Sequence, residues 1–162
     1  MPSPKGYSRT QIALHWGVAV LIVLQFVLHE PIAEAWEVIL KGGTAAFDPV
    51  IALHVFGGLA ILGFVIWRLV LRARRGVPPV VETNAMQKLA AHVVHLGLYG
   101  LMVLMPLSGA VAWFGGVEAA GEAHEVMKPL LLLLVALHVL GALWHQFWLK
   151  DGLMLRMKRA AD

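Results

Sequence analysis

No cysteine occurs among the 162 residues of this chain, and charged residues are scarce. The absence of cysteine excludes disulfides, thiolate-bound iron–sulfur clusters and haem attached through a C-x-x-C-H motif. Any metal or haem must therefore be held by histidine, methionine or carboxylate side chains. Charged residues form 14% of the chain and hydrophobic residues 59%, whereas a typical soluble domain is about 25% charged. This composition indicates an integral membrane protein.

The hydrophobic residues are concentrated in four long runs. Each run is long enough to cross a hydrocarbon core about 30 Å thick as an α-helix. We expect membrane spans at about residues 11–29, 50–72, 87–114 and 125–149. The sequence therefore predicts an all-α fold, an integral membrane four-helix bundle that forms one domain over residues 1–162.

The segments between the runs are expected to be loops, at residues 29–49 and 115–123. A basic, proline-rich connector follows the second run, and the tail after residue 149 is expected to form a short amphipathic helix at the membrane interface. Ala33-Glu34-Ala35 resembles a signal-peptidase site. However, the preceding run is longer than the usual ~7–15 apolar residues and contains His15, so we expect it to remain as a span.

Lysine and arginine are distributed unevenly along the chain. Eleven of the 13 lie in the N-terminal segment, the second connector, the C-terminal tail or the adjoining helix ends: Lys5, Arg9, Arg68, Arg72, Arg74, Arg75, Lys88, Lys150, Arg156, Lys158 and Arg159. The first and third connectors hold only Lys41 and Lys128. Since positive residues stay in the cytoplasm, we expect both termini there, in a multi-pass membrane protein surrounded by lipid. Topology also accounts for the basic connector, so we expect no nucleic-acid binding.

Histidines recur within the apolar runs, where ionisable side chains are costly and usually functional. His124 and His138 are fourteen residues apart, so they share one helix face and lie about 21 Å apart along the axis. The expected topology gives His54 the depth of His124, near the periplasm, and His15 the depth of His138, in the cytoplasmic half. Each pair can supply both axial ligands of a six-coordinate b-type haem. This arrangement predicts two haems b and favours electron transfer over oxygen chemistry.

Two of these assignments have alternatives. His92 and His95 share a face of the third run, and either can replace His15 as the partner of His138. Arg68, near the end of the second run, can pair with a propionate of the cytoplasmic-side haem. It can equally be a snorkelling anchor that keeps its charge at the membrane surface.

A quinone site is expected beside the cytoplasmic-side haem. His95, His145, Arg9 and Trp148 place donors and aromatic rings close to the membrane surface. A quinone carbonyl needs hydrogen bonds there, and a histidine near neutral pH can supply protons. The other interpretation is that His95 and His145 bond only to backbone or lipid headgroups.

The sequence motifs of several other kinds of chemistry are absent or incomplete. His124-Glu125 begins like the zinc-protease sequence H-E-x-x-H, but Lys128 stands where the second histidine is needed. The chain has no P-loop, nucleophile elbow or dinucleotide-binding fingerprint. The iron of haem is therefore the metal that the sequence predicts.

Segments in all four runs match a known pattern: YSRTQIALHW (7–16), LHVFGG (53–58), WRLVLR (67–72), AHVVHLGLYGLMVLMPLSG (91–109), AHE (123–125) and LHVLGALWHQFWLKD (137–151). Together they resemble the bacterial cytochrome b561 family, and also the cytochrome b subunits of nickel hydrogenases and formate dehydrogenases. The resemblance implies haem ligands at His15, His54, His124 and His138. It further implies a quinone site near the cytoplasmic-side haem and a location in the bacterial inner membrane.

The short architecture is similar to stand-alone members of that family, which implies superoxide oxidation in the periplasm coupled to ubiquinone reduction. The periplasmic loops, however, hold seven acidic residues against two lysines: Glu30, Glu34, Glu37, Asp48, Glu118, Glu122 and Glu125. An acidic face suits a basic protein partner better than an anion. The alternative function is therefore a redox relay between quinol and a periplasmic protein or a larger respiratory complex.

Overall fold

A computed structural model of the chain describes residues 6–78 and 84–161. Lys5 and the part of the connector at 79–83 lie outside the described residues. Throughout the described ranges the regular structure is helical: α1 (Arg9–Val27), α2 (Glu30–Leu40), α3 (Pro49–Arg75), α4 (Ala85–Gly115), α5 (Glu118–Trp144), a π-helical turn (His145–Leu149) and a 3-10 turn (Leu153–Met157). The prediction of an all-α protein is confirmed.

Four of the helices are long and apolar enough to cross a membrane. They are α1, α3, α4 and the continuous segment Glu118–Leu149, which joins α5 to the π-helical turn. Large apolar side chains on their outer faces are exposed in the isolated chain, among them Val23, Phe56 and Leu140. Such faces require an apolar environment, which membrane lipid supplies.

The predicted loops are wrong in two places. Residues 30–40 form α2 rather than a loop, because Pro31 stands in the first turn, where its missing N–H costs nothing. A side chain at Gly121 of α5 would lie 2.9 Å from the Trp36 ring, so this glycine allows α2 to pack closely. The fourth helix also begins earlier than predicted, at Glu118, because a carboxylate in the first turn complements the helix dipole.

The starts of three helices follow from local capping. Ser8 Oγ accepts a hydrogen bond from Gln11 N (3.2 Å), and Gln11 Oε1 accepts one from Ser8 N (2.9 Å), which forms a capping box. Asp48 Oδ1 accepts from Val50 N at 2.7 Å at the start of α3. Asn84 caps α4 in the same way. These bonds satisfy backbone donors that the helices leave free.

Each of the four long helices packs on the long helix next to it in the chain. α1 packs on α3, α3 on α4, and α4 most extensively on α5. Val18, Ile61 and Val65 form one apolar cluster between α1 and α3, while Leu98, Met105 and Leu131 form another between α4 and α5. Ile22 and Met102 contact both clusters, so one core joins all four long helices.

The first and last described residues meet at one end of the bundle. Ala161 N donates to Tyr7 O at 3.0 Å, and Trp16 Nε1 donates to Met157 O at 2.9 Å. We call this the terminal end, and the opposite end, which carries α2, the α2 end. The tail itself forms a 3-10 turn at Leu153–Met157 rather than the amphipathic helix that was predicted.

Candidate functional site

A large cleft opens at the α2 end, and we call it the α2-end cleft. It contains about 1130 Å³ of empty space, including its mouth, against roughly 300–1,000 Å³ for a small-molecule pocket. His54 of α3, His124 of α5 and His29, between α1 and α2, all line it. Most of the remaining wall is apolar: Ile22, Phe26, Val55, Leu59, Leu101, Met102, Met105 and Leu131 among others. The cleft can hold a large, flat, mainly apolar group.

His124 has a fixed tautomer. Its Nδ1 lies 2.9 Å from Met105 O and 3.3 Å from Ser108 Oγ. Because a carbonyl only accepts, Nδ1 carries the proton and Nε2 keeps its lone pair. A side chain at Gly109 would lie 3.2 Å from the imidazole, so glycine makes room for the ring. Metal-ligating histidines are usually oriented by such a bond from the other ring nitrogen.

His54 carries a buried nitrogen whose partner is missing. Among the described residues, His54 Nδ1 has no hydrogen-bond partner. A buried, unsatisfied polar atom is expensive and calls for an explanation. A group bound in the α2-end cleft would remove this cost if it offered a hydrogen-bonding atom to His54 Nδ1.

A cation at the mouth of the α2-end cleft was not assigned a role from the sequence. Lys128 Nζ lies 2.7 Å from His29 Nε2 and also pairs with Glu125. Because an ammonium group only donates, His29 accepts this bond and is neutral. Burial and the Lys128 charge lower the pKa of His29, which is consistent with that state. The sequence offered one indication of this position: Lys128 is four residues after His124 and therefore lies on the same helix face.

At the terminal end, three histidines from three helices come together. The ring centre of His138 lies 6.0 Å from that of His15 and 5.2 Å from that of His95. The structure thus places two of the three expected partners of His138, His15 and His95, beside it. His92 is exposed on α4, and of the two histidines on that helix it is His95 whose ring meets His138. We call His15, His95 and His138 the terminal-end cluster.

Two further contacts prepare the terminal-end cluster for a ligand. His95 Nδ1 donates to Ala91 O at 2.6 Å, so its Nε2 is available, as in His124. Arg68 acts electrostatically on all three histidines. Its Nη1 is buried with no hydrogen-bond partner in the described part of the chain. A guanidinium donor left open in this way fits a carboxylate, such as a haem propionate.

The residues expected at a quinone site are at the terminal end but have separate contacts. His145 lies on the π-helical turn and pairs with Asp151. Trp148 stacks on Trp144 with ring centres 5.1 Å apart. Arg9 lines a shallow groove between α1 and α3. Within the described residues, the hydrogen bonds of His95 and His145 therefore go to different partners.

Comparison with known proteins identifies the family. The model of the prokaryotic cytochrome b561 family matches residues 6–160. The chain belongs to the prokaryotic cytochrome b561 family. It is 36% identical over 163 residues to cytochrome b562 of Cereibacter sphaeroides, covering 98% of this chain and 99% of that protein. It is 30% identical over 178 residues to "Probable superoxide oxidase CybB" of Yersinia pestis, covering 94% and 96%.

Cytochrome b561 homolog 1 of Escherichia coli K12 is a more distant relative, 25% identical over 173 residues.

Membership of this family confirms the resemblance drawn from the sequence. The protein is a multi-pass bacterial membrane protein that transfers electrons through b-type haem. The imidazoles, the open Arg68 donor and the apolar cleft described above fit that cofactor.

Proposed function

We propose that the chain, as one domain over residues 1–162, binds two haems b at opposite ends of the bundle. His54 and His124 hold one haem in the α2-end cleft, and His15 and His138 hold the other at the terminal end. The observation that carries this proposal is the grouping of histidines at two separate ends of the same four helices. Along α5, His124 and His138 are about 21 Å apart.

When bound, each haem would supply a one-electron carrier, and two histidines holding it would favour electron transfer over oxygen chemistry. The protein contributes fixed geometry. The Met105 carbonyl holds the His124 ring in one tautomer, and apolar side chains keep water from the cleft walls. Arg68 offers a buried donor to a propionate at the terminal end. Such preorganised surroundings favour electron transfer, since little has to rearrange when the charge of the iron changes.

The orientation of the bundle follows from charge. We place the terminal end in the cytoplasm, because ten of the 12 lysines and arginines among the described residues belong to segments at that end, and such residues remain on the cytoplasmic side of the inner membrane. The α2-end cleft then faces the periplasm. The proposed path runs from the periplasmic haem to the cytoplasmic-side haem.

Labelling of single cysteines tests this orientation. The chain has no cysteine, so Thr44→Cys, Ala119→Cys and Met86→Cys each carry one thiol. We expect the first two to react with an impermeant maleimide in intact cells, and Met86→Cys, whose native side chain is 74% exposed, to react only after permeabilisation. The reverse pattern would refute both the orientation and the depths of the two haems.

For the reaction, we infer that superoxide is oxidised at the periplasmic end and ubiquinone is reduced at the cytoplasmic end. Each superoxide anion loses one electron and leaves as dioxygen, and each quinone takes up two electrons and two protons. Support comes from the relative named as a probable superoxide oxidase. The second candidate, a relay to a basic periplasmic protein, is favoured by three exposed acidic residues of α2: Glu30, Glu34 and Glu37.

Stopped-flow mixing with superoxide separates the two functions. We expect haem reduction with a rate constant of at least about 10⁷ M⁻¹ s⁻¹, within two decades of the diffusional ceiling. Because the acidic face repels an anion, this rate should rise as salt screens the repulsion. Superoxide dismutase should abolish the reaction. Haem reduction that is slow, or that persists with dismutase, would leave the relay as the function.

Quinone reduction tests the site at the terminal end. In His145→Ala with both haems spectrally intact, we expect quinone reduction by pre-reduced haem to slow about tenfold, below the ~10²–10⁴ of full general acid catalysis. His95→Ala should also slow quinone reduction. His92→Ala is the matched control and should match wild type, because His92 lies on the same helix but the ring beside His138 is that of His95. Unchanged kinetics in both test variants would move the quinone site elsewhere.

A further inference from the structure

Asp151 had no assigned role, and it lies in an unusual turn. The helix ends in a π-helical turn at His145–Leu149, and Lys150 follows in the left-handed region with φ of 53°. Gly152 is also left-handed, at φ of 75°. Left-handed non-glycine residues are uncommon, and π-helical turns are frequent at functional sites. This backbone path brings residue 151 back to residue 145.

The turn produces a close pair between an imidazole and a carboxylate. His145 Nδ1 lies 2.5 Å from Asp151 Oδ2, and the side chains are only 17% and 14% exposed. Asp151 Oδ1 accepts a second bond from Leu153 N at 3.0 Å. Burial alone raises the pKa of Asp151, but the hydrogen bonds from His145 and Leu153 outweigh it and lower this pKa. Asp151 is therefore ionised at neutral pH.

An ionised carboxylate only accepts, so the pair fixes which nitrogen of His145 is protonated first. Nδ1 carries a hydrogen directed at Asp151, and Nε2 is left to exchange a proton with a substrate. A carboxylate that orients a histidine is a recurring device of acid–base chemistry.

We propose that Asp151 is the positioning residue that holds His145 as the proton donor to the quinone at the cytoplasmic end. This inference rests on the quinone site proposed above. In the step, the Nε2–H bond of His145 breaks and an O–H bond forms on a quinone oxygen. The electrons arrive through the haem-mediated path, and water on the cytoplasmic side returns the proton to His145. Asp151 stays ionised throughout.

The competing explanation is that the pair only anchors the tail. Asp151→Asn separates the two roles, because the asparagine oxygen can still accept from Leu153 N while the charge opposite His145 is lost. We expect the saturating rate of quinone reduction to fall about tenfold, with the half-saturating quinone concentration changed less than about twofold. Haem content and both haem spectra should be unchanged. Lys158→Gln, an exposed change in the same tail, should behave as wild type.

The double variant supplies the decisive comparison. If Asp151 acts through His145, then His145→Ala with Asp151→Asn should be no slower than His145→Ala alone, because residues of one unit are not additive. Rates come from single-turnover oxidation of pre-reduced haem, so only haem-loaded molecules contribute even if a variant folds poorly.

Each outcome has a distinct meaning. If quinone reduction is slow in His145→Ala but runs at the wild-type rate in Asp151→Asn, the proposed role of Asp151 is wrong and the quinone site is still supported. Additive losses in the double variant also overturn it, since Asp151 would then act independently of His145. If all three variants reduce quinone at the wild-type rate, both the proposed quinone site and this inference are wrong.

Discussion

Replacing His54 by alanine is expected to lower the haem content from about two per chain to about one, because bis-imidazole ligation needs both axial ligands. His124→Ala should remove the same haem and leave the same residual spectrum. The α2-end cleft would keep its apolar walls, but it would lose one of the bonds to iron. Pyridine haemochrome assays with quantified protein give the stoichiometry, and reduced-minus-oxidised spectra identify the remaining haem.

His29 provides the matched control for this result. Its ring centre lies 5.9 Å from that of His54 in the same cleft, yet we give it no bond to iron. His29→Ala should retain both haems, and the double variant of His54 and His124 should lose no more haem than either single variant. Loss of haem in His29→Ala together with retention in His124→Ala would show that His29 is the true ligand.

Replacing His138 by alanine should remove the other haem, and His15→Ala should reproduce that loss. The structure makes this test necessary, because the His95 ring lies closer to that of His138 (5.2 Å) than the His15 ring does (6.0 Å). With His15 as the ligand, His95→Ala keeps the haem and affects only quinone reduction. Loss of haem in His95→Ala but not in His15→Ala would reassign the pair. Haem content and spectra of the three variants, measured at equal protein, decide between the two outcomes.

The spans could be predicted from the sequence because long apolar runs leave the chain few alternatives. The start of the fourth helix and the whole of α2 could not. Pro31 and its acidic neighbours are typical of a loop, yet proline is well tolerated in a first turn. Residues 118–123 are polar and contain Gly121, whose effect depends on Trp36 packing against it from another helix.

The candidate site, too, could be predicted only where it does not depend on packing between helices. Depth along the four spans could be estimated from charge and helix rise, and the structure has His54 and His124 lining one cleft and His15 beside His138. The bond between Lys128 and His29, and the pairing of Asp151 with His145, depend on packing and on a π-helical turn. Neither has a periodic pattern in the sequence.

The bond from Trp16 to Met157 has a consequence for how the protein is made. Its two partners are separated by 141 positions, and the Trp16 ring lies 5.3 Å from that of His15. At about 5–20 residues per second, the ribosome releases Met157 roughly 7–28 s after Trp16. The last long helix also supplies His124 and His138. Both proposed haem sites therefore stay incomplete through most of translation, and cofactor loading must follow insertion of the final span into the membrane.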